Sequence, residues 1–154
     1  MKHSRLFLGL ALAGAFALVT LTGCSKPQPP VGRWEGGYQF AGTLVAARVE
    51  VMPDGQVRVS APDITNLDLA KPDRLVALRQ ELAADLATGW DGIAPRPFDF
   101  DGKTFRKPGQ IAPQMVWDKK TNQMELKLYI GANPAMPVPL RPVPGFHDNP
   151  WAMG

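Results

Sequence analysis

Hydrophobic and polar positions alternate most clearly over residues 43–52. Val45, Ala47, Val49 and Val51 share one face there, and Arg48 and Glu50 share the other. Pro53-Asp54-Gly55 supplies a tight turn, with Pro fixing φ and Gly taking the left-handed position. Residues 56–61 then return with Val57 and Val59 inward and Arg58 and Ser60 outward. Two alternating runs about such a turn predict a β-hairpin. Upstream, 34–40 is aromatic-rich and broken by Gly36-Gly37. That pattern predicts a bent or bulged first strand, with structure starting near Gly32.

At 72–88 the period changes. Leu75, Leu78, Leu82 and Leu86 recur at three- and four-residue steps and form one apolar stripe, which predicts an amphipathic helix. Pro72 suits its first turn, Asp73 its positive end and Gly89 its C-terminal cap. The stripe is expected to pack on the core. The alternative is a helix lying on a membrane surface. Its polar face, Arg74, Arg79, Glu81 and Asp85, is mixed in charge rather than basic, which disfavours that alternative.

Residues 98–105 read as a second hairpin about Asp101-Gly102, and 114–117 with 123–130 as a third pair joined through 119–122. Met124, Leu126, Leu128 and Ile130 share one face of that pair. Met136, Val138 and Leu140 predict a last strand. Pro137 and Pro139 cannot donate ladder bonds, which restricts this strand to a sheet edge or to extended polyproline structure. The fold class is therefore α+β and mostly β: an antiparallel meander or partial barrel of six to eight short strands with one amphipathic helix. A single domain is expected over 32–142, followed by an irregular tail over 143–154.

The chain opens with a short cationic stretch, Met1 to Arg5, and an uncharged apolar run over 6–21. That is the layout of a secretory signal. A helix of that run spans about 24 Å, short of a ~30 Å hydrocarbon core, so a permanent spanning helix is the lesser reading. The run ends Leu21-Thr22-Gly23-Cys24, which resembles the lipobox of bacterial lipoproteins: an aliphatic residue, two small residues, then Cys. The resemblance covers residues 1–25. It implies cleavage before Cys24, a diacylglycerol on its thiol and often a further acyl chain, such as palmitate, on the new amino group. Several chains together hold a protein stably at a membrane where one does so only marginally. Ser25 in place of Asp resembles the outer-membrane sorting signal of such proteins. The implied address is the bacterial cell envelope, at the periplasmic face of the outer membrane rather than the inner one. Residues 25–30, Ser-Lys-Pro-Gln-Pro-Pro, read as a polyproline-II tether that holds the domain roughly 20 Å from its anchor.

Composition narrows the rest. All 16 prolines and 12 of the 15 glycines lie beyond residue 23, which argues against a helix bundle. Beyond the signal, 15 Lys and Arg face 14 Asp and Glu, with no basic block, so nucleic acid is not an expected partner. The same region holds one Cys (Cys24), one His (His147) and two Ser (Ser25, Ser60). A Cys-His site cannot be built from that set, a Ser-His-Asp site would need Ser25 or Ser60 to meet His147, and zinc would find one nitrogen ligand. Asp99-Phe100-Asp101-Gly102 lacks the remainder of a calcium loop. Acidic pairs for glycoside chemistry would have to come from Glu35, Glu50, Asp91 and Asp99, which no spacing brings together. No catalytic residue, cofactor or metal ligand is expected.

The four tryptophans, Trp34, Trp90, Trp117 and Trp151, carry what specific signal remains. Gly32-Arg33-Trp34 followed by a β meander resembles the Gly-x-Trp entry of the calycin group of lipocalins and fatty-acid-binding proteins, although a central helix departs from that group. The resemblance implies that Trp34 closes a barrel floor and is structural; ligand contact is the alternative reading. The aromatic end, Phe146 to Trp151, reads either as a tail docked on the domain or as a peptide engaging another envelope protein through Trp151. The expected function is a lipid-anchored, non-enzymatic interaction or structural module facing the periplasm. The alternative is a lipocalin-like binder of a small apolar ligand.

Overall fold

The structure, a computed structural model, describes residues 25–40, 43–61, 65–66, 72–129 and 135–151. The export run and Cys24 lie outside these residues. Among the described residues nine strands and one helix follow in the order β1 (Gly32–Phe40), β2 (Thr43–Val51), β3 (Val57–Ser60), β4 (Thr65–Asn66), α1 (Pro72–Trp90), β5 (Asp99–Phe100), β6 (Thr104–Arg106), β7 (Met115–Asp118), β8 (Gln123–Leu128) and β9 (Met136–Val143). The mostly-β reading with one helix holds. The strand count exceeds six to eight because two pieces, β4 and β5, are only two residues long.

All pairings are antiparallel, and the strands form one curled sheet in the order β3-β2-β1-β9-β8-β7-β6-β5, with β4 beside β2. The curl brings the two ends of that order together. Val57 on β3 and Arg96, just ahead of β5, exchange backbone bonds of 2.8 and 2.9 Å. The sheet is thus a partial barrel, joined among the described residues at one bridge.

The inner face holds the core. Trp34, Val45, Val49, Val51 and Val57 from the first half meet Phe105, Met115, Met124, Leu126, Val138 and Leu140 from the second. Burying each of these large side chains contributes roughly 1.5–3 kcal/mol relative to exposure. The predicted inward set of β2 is in this core, but its other face is buried as well: Leu44, Ala46 and Arg48 are also inaccessible. That face is covered by α1, whose Leu82, Ala83, Leu86 and Trp90 are buried, and by the chain end. The helix runs through Gly89 to Trp90 rather than capping at Gly89, and a turn at 91–92 ends it with Ile93 N–H on the Trp90 carbonyl at 3.2 Å.

Two expectations are corrected. First, β1 is not bulged. Nine consecutive residues, from Gly32 to Phe40, pair with β2 in unbroken register. Gly36 and Gly37 are needed for space instead: a Cβ on Gly36 would stand 2.3 Å from the Pro139 carbonyl oxygen, and one on Gly37 would stand 2.2 Å from Nε1 of Trp151.

Second, β9 is neither an edge nor a free polyproline segment, but lies between β8 and β1. Ladder bonds of an antiparallel strand alternate between its two sides. Residues 136–140 pair with β8 and 141–143 with β1, so β9 changes partner midway. Pro137 and Pro139 can turn their nitrogens away from β8 where β1 does not yet pair. Pro142 can turn away from β1 where β8 has ended. Each half of the strand has one open side, and the prolines use it.

The segment expected as a tether passes beside two turns of the domain. Pro27 packs toward the Gly102 turn and Pro29 toward the Gly55 turn, and Lys26 to Pro29 line a hollow with Pro97, Phe98 and Phe100. The segment crosses the end of the barrel where both hairpins turn.

Candidate functional site

Two features of the described residues bring charged groups to defined places. The first is built on the outer face of β1 and β2. Glu35 and Arg48 are cross-strand partners, both buried, with the Glu35 side chain at 0% exposure. The chain end lies over them. His147 N–H donates to both Glu35 carboxylate oxygens at 3.1 Å, and His147 Nδ1 contacts Glu35 Oε1. Arg48 Nη2 donates to the His147 carbonyl at 2.7 Å, while its Nε lies 3.7 Å from Glu35 Oε2. Burial lowers the Arg48 pKa, and the carboxylates of Glu35 and Asp148 oppose that shift. Aromatic contacts frame the cluster. Phe146 meets Trp90 edge-on at 4.6 Å, the Arg48 guanidinium lies 5.0 Å from the Phe146 ring, and Arg58 lies over Trp90.

A carboxylate on Nδ1 is how a catalytic histidine is oriented, so a nucleophile is the next requirement. Ser60 is the cross-strand neighbour of Arg48, which places Arg48 in the row between Ser60 and Glu35. Among the described residues no hydrogen bond joins Ser60 to His147. The cluster works as a clasp that fixes the chain end by a buried ion pair and two backbone groups. Of the other acids considered, Glu50 is engaged by Arg33 at 2.8 Å. No group of three His, Cys, Asp or Glu side chains among the described residues is arranged to hold a metal ion.

The second feature is a cleft of about 510 Å³ beside the Val57–Arg96 bridge. Val57, Val59, Phe98 and Leu126 form its apolar wall, and Arg96 and Lys107 are its charged residues. It opens at the seam of the barrel, whereas the centre of the barrel is filled by side chains.

The residues singled out by sequence are placed as follows. Cys24 lies outside the described residues. Trp34 is 1% exposed and donates from Nε1 to the Asn122 carbonyl at 2.8 Å, which ties the start of β1 to the β7–β8 turn. Trp151 is half-buried on the Gly37 backbone, and its buried Nε1 has no hydrogen-bond partner among the described residues. Neither tryptophan lines the seam cleft. Sequence reading missed the clasp and the cleft. A lone arginine in the apolar run of β2 was the available sign that both faces of that strand are covered.

Comparison with family models, with curated proteins and with solved structures finds no match to this chain. No helix among the described residues is long and apolar enough to cross a membrane.

Proposed function

We propose that this chain is a lipid-anchored envelope protein acting as a non-enzymatic interaction module that faces the periplasm. The observation that carries the reading is the run Leu21-Thr22-Gly23-Cys24 directly after an uncharged apolar stretch. Two structural features support the second half. The barrel centre is packed with Trp34, Phe105, Met115 and Met124, which leaves little room there for a carried ligand. The His147 cluster is spent on holding the chain end rather than on a nucleophile. Contact with another envelope protein is then made by the outer surface, and the anchor supplies local concentration at the membrane.

Mass spectrometry of the full chain expressed in a bacterial host tests the anchor. A mature terminus at Cys24 with a thioether-linked glyceride is expected, as is release from membranes in Cys24→Ala. An intact Met1 or an unmodified thiol overturns the anchor. Cross-linking in intact cells tests the module: a discrete protein adduct lost in Cys24→Ala supports it, and no adduct above background overturns it.

A further inference from the structure

The cleft at the barrel seam has a volume within the range that small-molecule sites occupy. Its wall is preformed, since Val57 and Leu126 also belong to the packed core and cannot move without disturbing it. Its charged groups are rooted in bonded backbone. Arg96 is fixed by its two bonds to Val57, and the Lys107 carbonyl accepts from Gln110 N–H at 2.9 Å. Among the described lining residues every charged side chain is cationic, and neither Arg96 nor Lys107 is ion-paired among the described residues.

We infer that this cleft binds a small amphipathic anion, with its apolar chain on Val59, Ile93 and Phe98 over a floor of buried Val57 and Leu126, and its carboxylate between Arg96 and Lys107. Each half of the ligand answers one half of the site. Apolar burial supplies the larger part of the binding, at roughly 25 cal/mol per Å². The guanidinium supplies orientation, because its planar fork suits a carboxylate. A neutral apolar ligand would leave both cations unused, and a cationic one would meet repulsion. The inference goes beyond the anchored-module reading and does not depend on the chemistry of Cys24.

The test is photolabelling of the full chain in nanodiscs with a laurate analogue carrying a diazirine on its alkyl chain. Label is expected on the peptides holding Val59 and residues 93–98. Laurate is expected to compete roughly fivefold better than methyl laurate, the scale of two partly screened charge pairs, and acetate not to compete. Arg96→Gln with Lys107→Gln should erase the preference for laurate, and Ala94→Trp, which fills the cleft, should abolish the label. Label spread evenly over the surface overturns the inference, as does equal competition by methyl laurate or a preference that survives in the double variant. Where a variant fails to fold by circular dichroism, the competition series on the unmodified chain decides alone.

Discussion

The indole of Trp151 rests on the backbone of Gly37, so close that a Cβ at position 37 would stand 2.2 Å from the ring nitrogen. Gly36, one residue earlier, is crowded by a backbone oxygen instead, that of Pro139 at 2.3 Å from its added Cβ. The two glycines make room on opposite faces of one strand. They differ in what must give way.

Gly37→Ala displaces a side chain near the chain end, which can swing off at a cost of about 1 kcal/mol. Gly36→Ala drives β1 against β9 and costs about 3 kcal/mol or more. Urea unfolding of the two variants checks the order. Equal losses, or a larger loss for Gly37→Ala, contradict the packing described.

Glu35→Ala leaves the buried Arg48 guanidinium with Asp148 as its remaining counter-charge and is expected to cost about 3 kcal/mol. The double change Glu35→Leu with Arg48→Met removes both charges and should recover most of that loss. Chemical denaturation of the three proteins decides: a double variant no better than Glu35→Ala shows that the Arg48 charge is not what the loss comes from.

Removing residues 144–154 strips Phe146 from Trp90 and His147 from Glu35 together. Loss of these buried contacts should lower the melting temperature by about 10 °C or more, on a scale of several degrees per kcal/mol. Trp151→Ala should lower it by less than half as much. A truncated chain as stable as the parent would mean that the end is free to serve as a peptide for another protein.

The carboxylate of Asp101 sits at the turn of the second hairpin. The Thr104 hydroxyl and the backbone N–H of Thr104 bond to it, followed by Arg106 and the N–H of Lys103, and together they hold its pKa far below the usual carboxylate range. A lowered folded-state pKa stabilises the fold above the unfolded value, near 3.9, and that stabilisation is lost as pH falls toward the folded value. Asp101→Asn should therefore be less stable than the parent at neutral pH, with the gap closing below about pH 4. Stability curves at both pH values check this; a gap that widens in acid contradicts it.

Local signals were legible wherever neighbours in sequence decide the outcome. The alternation over 43–51, the Asp101-Gly102 turn, where Gly102 takes φ +98°, and the leucine stripe of the helix each appear at or near their predicted positions. What was not legible depends on distant pairs. Glu35 and His147 are 112 residues apart, and nothing near either residue announces the other. Alternation tells which face a residue takes but not which strand lies beside it. For that reason Pro137 and Pro139 pointed to an edge when the strand in fact changes neighbours. The proline-rich segment at 25–30 reads as a spacer from its composition, and its approach to two turns far along the chain lies outside any local pattern.

The strand that joins the two halves of the sheet, β9, is the last of the described strands in chain order. Until residues 136–143 emerge, β1 and β8 each expose an unpaired edge, and the core is split in two. Neither half can reach its final stability before that strand is in place. Folding should be slow, dominated by non-local pairing, and largely postponed until residues 136–143 have been made.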